Sequence, residues 1–556
     1  MGNIENKLIS SMEKCFGDNA VASFPEFSAA RAVRGERFSF QWVFRSETPL
    51  DAKEVCFFRS ESALGDAVSA QRVEWIPVRM PYYELRHDDN YLRGGEPGLY
   101  PDLLIPADEK KQIYVTSRET HALWIDVDIP ADAPAGECPI KLSLVNEKGV
   151  ERASAVFVLT VVGATLPKQT LQHTEWFHAD CLADYYRVDV WSEEHWRIVE
   201  NFVHAAVRGG VNMLLTPIIT PALDTAVGGE RTTCQLTEIS CNGGIWSFDF
   251  TRLGRWIAMG QRQGIEYFEM AHLYTQWGAG HAPKIMATVD GEYKKVFGWE
   301  TDSLSEEYRT FLDAFLPALT QYLREQGIAD KTVFHISDEP HAEHLERYGA
   351  ARAQVSEHLR GFVIMDALSN YDFYRAGVVE RPIPSTLRIQ PFLDGNVPDL
   401  WTYYCCTQNV KLSNRFVAMP GARTRILGVQ LYKYRIAGFL QWGFNFYNSQ
   451  YSVEHIDPYR VNDGEYFAPT GDAFQVYPAP DGTAYETQHY QLFVEALRDL
   501  RLMQLAEETC GRDAVMAVIE DGLDAPITFE EYPRDAEYLT ALHETLCEMI
   551  EKACAL

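Results

Sequence analysis

From about residue 35 to 165, apolar side chains recur at every second position: Phe38, Phe40, Trp42 and Phe44; Leu123, Ile125, Val127 and Ile129; Ile140, Leu142 and Leu144. A period of two is that of a strand with one face buried and the other wet. Turn-forming runs separate these stretches at short intervals, among them Pro130-Ala131-Asp132-Ala133-Pro134-Ala135-Gly136 and Asn146-Glu147-Lys148-Gly149. That spacing predicts antiparallel sheets packed as a β-sandwich over 35–167, after an N-terminal extension of 1–34. Leu166-Pro167-Lys168 reads as the linker that ends it.

Beyond residue 170 the rhythm becomes short apolar runs separated by long stretches of helical period, as parallel strands with helical crossovers require. Eight strands are predicted, at 171–178, 211–217, 265–274, 332–339, 363–369, 387–392, 400–406 and 438–445. Eight is the number that closes a (β/α)8 TIM-type barrel, expected over 168–500. Between the third and fourth, a helix over 306–326 places Tyr308, Phe311, Leu312, Phe315, Leu316, Leu319 and Leu323 on one face and so belongs to the scaffold. Leu539, Leu542, Leu546, Met549 and Ile550 mark the last helix of a C-terminal helical segment, 501–556. The fold class is therefore an all-β domain followed by an α/β barrel with C-terminal helices.

Composition narrows the function. The 556 residues are 46% apolar, enough for at least two cores, and 79 acidic against 50 basic residues give a net charge of -29. Such a charge repels nucleic acid and anionic lipid and favours a neutral small-molecule partner. Twelve Trp and 28 Tyr supply flat rings with a polar edge, which suit sugar faces as well as cores. No window approaches the ~20 apolar residues of a membrane span, and the opening Met1-Gly2-Asn3-Ile4-Glu5-Asn6-Lys7 lacks a secretory apolar run, so a cytoplasmic protein is expected. The eleven cysteines contain no Cys-x-x-Cys pair and read as reduced thiols, with the vicinal Cys405-Cys406 packing as small side chains.

The chemistry concentrates in His335-Ile336-Ser337-Asp338-Glu339-Pro340. The strand is expected to run to the acidic pair and Pro340 to open the next helix, which places Asp338 and Glu339 at the carboxyl end of a barrel strand, where such enzymes keep their acids and bases. Adjacent carboxyls do not both ionise cheaply, so one is pushed toward the protonated form of a general acid. Two other readings compete. Ser337 or Asp338 also suits a helix N-cap, and His335, Asp338, Glu339, His341 and His344 offer metal ligands. The three-residue spacing of the last two histidines, beyond a proline, departs from the i, i+4 spacing of helical zinc sites and ranks the metal lower. Other polar and aromatic residues fall at the same rim: Trp176 and His178 on the first strand, His272 and Tyr274 on the third, Asp366 on the fifth, Tyr403 and Tyr404 on the seventh, Trp442 and Asn445 on the eighth.

The chain resembles glycoside hydrolase family 123 and its wider relatives from about residue 95 to 500. The resemblance rests on Gly98-Leu99-Tyr100-Pro101-Asp102, Glu175-Trp176-Phe177-His178-Ala179-Asp180, Gln276-Trp277-Gly278-Ala279, Ala282-Pro283-Lys284-Ile285, Phe297-Gly298-Trp299, the acidic string itself, Trp401-Thr402-Tyr403-Tyr404-Cys405-Cys406 and Gly438-Phe439-Leu440-Gln441-Trp442. It implies an exo-acting retaining β-N-acetylgalactosaminidase in which the sugar's 2-acetamido oxygen attacks the anomeric carbon to give an oxazolinium intermediate. On these residues Glu339 matches the general acid/base and Asp338 the group that orients the acetamide. Tyr403 is the candidate partner of the acetamido carbonyl and Trp442 the wall for its methyl. Trp176, His178, His272, Trp277, His335 and Asn445 complete the candidate substrate-binding set. No cofactor and no metal are expected. A related glycosidase of other specificity, and a sugar-binding protein without turnover, remain as alternatives.

Overall fold

The structure is a computed structural model that describes residues 3–49, 53–107 and 111–554. The first 165 residues form two five-stranded sheets. One has the order Ile4–Ser10, Arg37–Ser46, His121–Asp128, Val68–Val78, Gly98–Ala107, and the other Ala29–Arg34, Glu151–Thr165, Gly136–Asn146, Glu54–Glu61, Ile113–Val115. The period-two residues pair across strands, with Phe38 opposite Val127, Phe40 opposite Ile125 and Trp42 opposite Leu123. They share one core with Phe58, Leu142, Leu144 and Phe157 of the second sheet. Phe40 and Phe157 stack across it with centroids 4.0 Å apart.

The segment 1–34, expected as an extension, instead supplies an edge strand to each sheet. Ile4–Ser10 pairs antiparallel with Arg37–Ser46, and Ala29–Arg34 pairs parallel with Glu151–Thr165. The polar Asn6 and Lys7 break its apolar pattern, yet both are used: Asn6 accepts from the Trp42 indole at 2.9 Å, and Lys7 donates to the Phe24 carbonyl at 2.9 Å.

Eight later strands are all parallel and stand around the barrel in chain order: Gln172–Glu175, Met213–Thr216, Tyr267–Met270, Thr332–Phe334, Val363–Ala367, Arg381–Ile383, Trp401–Tyr403 and Gly438–Gln441. The barrel is nearly closed. Its seam, between the sixth and seventh strands, is held by Tyr403 N–H to Pro384 O at 3.2 Å and Thr386 N–H to Tyr403 O at 2.9 Å. Met213, Leu215, Val333, Met365, Trp401 and Leu440 fill the interior under Trp176.

The sequence reading misplaces one strand. Residues 387–392 alternate like a strand, but Pro391 sits in the first turn of the helix Gln390–Asp394, where its fixed φ and missing N–H are tolerated. The sixth strand is the earlier three-residue Arg381–Ile383. The expected strands also overrun, because the rim loops that follow them are as aromatic as the strands. A four-stranded sheet, Ile245–Asp249, Glu238–Asn242, Ile285–Val289 and Glu292–Phe297, elaborates the connections after the second and third barrel strands.

Three helices end the chain, Gln488–Cys510, Arg512–Ile519 and Ala536–Cys554, and the first runs unbroken through the boundary expected at 500. They tie the sheets to the barrel. Arg498 meets Glu36 at 3.3 Å, Arg425 meets Asp499 at 2.6 Å, and His489 Nδ1 lies 2.7 Å from Asp102, which Lys14 also approaches at 3.4 Å. Among the described residues, no helix is long and apolar enough to cross a membrane.

Candidate active site

The fourth barrel strand stops at Phe334, short of the acidic pair, and the chain leaves it as an irregular loop. Neither Ser337 nor Pro340 starts a helix: a short turn at Ala342–His344 precedes the helix Leu345–Ser356. Ser337 acts instead as a clasp. Its hydroxyl donates to Thr275 O at 2.9 Å and accepts from the N–H groups of Gly278 and Ala279 at 3.4 and 3.1 Å. Trp277 N–H closes the same joint on Asp338 O at 2.8 Å, and Glu339 N–H donates to Ala367 O at 3.0 Å. The joint holds Trp277, Ala279 and Glu339 at φ 59°, 56° and 42°. Left-handed backbone at non-glycine residues costs about 1–3 kcal/mol each and persists where surrounding bonds impose it. At Gly278 (φ 112°) a Cβ would fall 2.5 Å from the His344 ring, so both the conformation and the close approach require glycine.

These loops open onto a cavity of about 180 Å³. Asp338 and Glu339 line it, half-buried, with Trp176, His178, Asp224, Trp277, Tyr403 and Trp442 around them. The Tyr403 hydroxyl donates to Glu339 Oε1 at 2.5 Å. Burial and the Glu339 charge hold that phenol well above its usual range, so it stays a donor. Burial, then the charges of Glu339, Asp366 and Asp224, push the Asp338 carboxyl well above the usual carboxylate range, against a downward pull from His335. In the free protein Asp338 is therefore driven to keep a proton.

Beneath the pair lies a buried ionic core. His335 Nε2 is 2.9 Å from Glu269 Oε2 and Nδ1 is 3.4 Å from Asp366 Oδ1. With a carboxylate at each nitrogen the ring is an imidazolium: burial opposes the charge, but the bonds to Asp366 and Glu269 outweigh it and raise His335 to about 10. Asp366 also accepts from Ile336 N–H at 2.9 Å and Tyr348 OH at 2.5 Å, and Thr174 Oγ1 donates to Glu269. His272 stacks on His335 with centroids 4.5 Å apart, and Trp176 meets His272 edge-on at 5.2 Å. Burial and the neighbouring imidazolium hold His272 neutral, well below its ordinary value. Ligand atoms of His272, His335 and Asp366 lie within 4.8 Å of one another, the geometry of a possible metal site. His335 is already flanked in this set by two carboxylates, Glu269 at 2.9 Å and Asp366 at 3.4 Å, as an ion pair.

On another side of the cavity, His178 Nδ1 accepts from Arg231 at 3.0 Å and Nε2 faces Trp442 O at 3.1 Å. Burial and then Arg231 push it down to about 3. Asp180 neutralises Arg231 at 2.8 Å, and the Trp442 indole donates to Asp472 at 3.0 Å.

The profile of "Glycoside hydrolase 123, catalytic domain" matches residues 176–506, more than half of the chain. The chain belongs to glycoside hydrolase family 123. Among solved structures it is similar to a family 123 glycoside hydrolase from Clostridium perfringens, described for glycolipid glycan hydrolysis. The likeness has 14% identity and a TM-score of 0.71, covering 100% of this chain and 97% of that one. At that identity it concerns the fold. An endo-β-1,4-mannanase from Thermotoga petrophila (11% identity, TM-score 0.33, 61% and 78% covered) and a β-glucuronidase from Parabacteroides merdae (9%, 0.29, 89% and 52%) are too remote to carry an argument. No curated protein matches the chain.

In this family 123 chain, Trp176, His178, Trp277, Asp338, Glu339, Tyr403 and Trp442 line one cavity, whereas His272, His335 and Asn445 do not. The two histidines lie below its floor. Asn445 is a backbone clamp whose side chain accepts from His178 N–H at 2.9 Å and donates to His178 O at 3.0 Å. His341 and His344 pack against each other at the helix start and do not line the cavity. Cys405 and Cys406 line the cavity with Thr407, Tyr451 and Phe467, and all eleven cysteines are free. Sequence reasoning missed Asp224 and Tyr451, which have no periodic pattern to mark them, noted Gln276 only within a segment of the family resemblance, and missed Glu269, which its strand's apolar neighbours disguise.

Proposed function

We propose that the protein is an exo-acting, retaining β-N-acetylgalactosaminidase that works by substrate-assisted catalysis, on carbohydrate whose terminal residue is β-GalNAc. The observation that carries this reading is the adjacent Asp338–Glu339 pair in one cavity, with the Tyr403 hydroxyl on Glu339. Two neighbouring carboxyls suit one acid/base and one orienting group better than the two separated carboxylates of an ordinary glycosidase.

Substrate would reverse the order of protonation within the pair. An acetamido N–H donated to Asp338 favours its ionised form, and the displaced proton passes to Glu339, next to the glycosidic oxygen. Asp338 then supports the positive charge that develops on the acetamide as its oxygen attacks C1, while Glu339 protonates the leaving oxygen. In the second half Glu339 takes a proton from water as it opens the oxazolinium. The similarity to a protein described for glycolipid glycan hydrolysis makes a glycolipid headgroup a reasonable aglycone class.

The test compares aryl β-GalNAc with aryl β-galactoside, which lacks the internal nucleophile. The acetamido sugar is expected to be the far better substrate, and an oxazoline-mimicking thiazoline to inhibit competitively. Equal rates on the two sugars, or a stable glycosyl adduct on a carboxylate after 2-fluoro sugar treatment, would refute the reading.

A further inference from the structure

We propose that Asp224 is the residue that reads the hydroxyls of the terminal sugar, on an edge not occupied by the acetamide. The proposal rests on the substrate reading above. Asp224 lines the cavity with the acid pair but belongs to the loop after the second barrel strand, two strands from Asp338 and Glu339. Tyr403, on the seventh strand, lies three strands from the pair the other way round the barrel. A sugar whose C1 and acetamide meet the acid pair beside Tyr403 turns C3, C4 and C6 toward other parts of the wall, one of which is Asp224.

The carboxylate is half-satisfied. Oδ2 accepts from Tyr451 N–H at 3.0 Å, and Oδ1 has no partner among the described residues. The loop is built to hold it there. Ser452 donates to Asp224 O at 2.7 Å, Ala226 N–H to Tyr451 O at 2.9 Å, Arg231 to Leu223 O at 3.1 Å and Gln276 to Thr225 O at 3.3 Å. Asp224, Tyr451 and Ser452 are all left-handed, at φ 40°, 60° and 52°, so two chain segments are strained to bring this acid to the cavity. Trp277, whose backbone fixes Asp338, meets Tyr451 edge-on at 5.6 Å, which links the sugar-reading loop to the acid loop. Burial lifts the Asp224 carboxyl to about 6, and it remains a charged acceptor at neutral pH. A charged acceptor with an open lone pair suits a neutral polyol, and an acceptor covered by the sugar yet left unpaired by a missing hydroxyl penalises the wrong one.

The experiment uses the full chain, the aryl β-GalNAc substrate and its 3-, 4- and 6-deoxy analogues. Asp224→Asn is expected to lower kcat/KM on the parent about 10- to 100-fold, chiefly through KM. The deoxy analogue that lacks the hydroxyl read by Asp224 should lose a similar factor with the native enzyme and nothing further with the variant. Losses that simply multiply for all three analogues would overturn the proposal. So would a kcat collapse rescued by azide, or a 2-fluoro sugar adduct on Asp224, either of which would make it a nucleophile. If Asp224→Asn does not fold, calorimetric titration of the native protein with GalNAc and its deoxy forms decides, because equal affinities for all of them leave Asp224 nothing to read. Native enzyme that cleaves a different aryl glycoside and not β-GalNAc sinks the substrate reading alone, and the deoxy series of that other sugar then tests Asp224.

Discussion

Asp366→Asn removes one of the two negative charges that hold His335 as an imidazolium beneath the acid pair. His335 stands at about 10 in the folded protein against ~6.5 for a free histidine, which caps its stabilisation at ~5 kcal/mol. Glu269 and Asp366 share that effect, and burial holds the Asp366 carboxyl above its ordinary range in spite of His335, so Asp366 accounts for at most about 2–3 kcal/mol. An asparagine also has too few lone pairs for the donors Ile336 N–H, Tyr348 OH and His335, which adds about 1–3 kcal/mol. The folded pKa of His335 is raised, so its contribution is complete below pH ~6.5 and is lost as the pH rises through about 10. The raised Asp338 works in the same direction, since a carboxyl that prefers its proton in the fold also loses stability with rising pH. Thermal unfolding of native and variant protein, followed by circular dichroism from pH 6 to 10, measures this. The variant should melt several degrees lower at pH 6, with the gap narrowing toward pH 10. A gap independent of pH, or none at pH 6, would show that His335 is not an imidazolium in the fold.

Three further outcomes follow from the site. Tyr403→Phe deletes the donor to Glu339 and should lower kcat/KM about 10- to 100-fold, less on aryl glycosides with strongly acidic leaving groups; equal losses on both would separate Tyr403 from the acid's role. Gly278→Ala forces a Cβ against His344 at a left-handed φ and should disturb the joint that holds Asp338, so kcat should fall while the near-ultraviolet spectrum of the barrel is kept; full activity would show the joint to be dispensable. Dialysis against EDTA should leave the rate unchanged, and loss restored by a divalent cation would reassign His272, His335 and Asp366 as ligands.

Much of this architecture is written locally. Phe38 to Phe44 and Ile140 to Leu144 bury alternate side chains in one core, and a period of two has no other easy solution. Seven of the eight barrel strands stand out as apolar runs; the sixth, Arg381–Ile383, is three residues with a proline inside and is outshone by a helix that alternates by accident. Asp338 and Glu339 are legible because two carboxylates after an apolar run are rare. His272 and His335 look like rim residues in sequence, and only the stacking of neighbouring strands shows that they lie below the floor. Asp224 carries no local signal, since its place in the cavity depends on a partner loop more than 200 residues away.

The helices at the carboxyl end have a practical reach beyond their own packing. Helix Gln488–Cys510 gives Arg498 and Asp499 to a buried charge cluster with Glu36 and Arg425, while Leu104 N–H donates to Glu486 O just before it and His489 holds Asp102. The amino-terminal sheets and the barrel thus share counter-ions that neither half retains alone. Excising 176–506 as an autonomous catalytic piece would take Glu36 from Arg498 and Asp102 from His489. The whole chain should melt as one cooperative unit, and the amino-terminal half should resist being borrowed as a portable sugar-binding module.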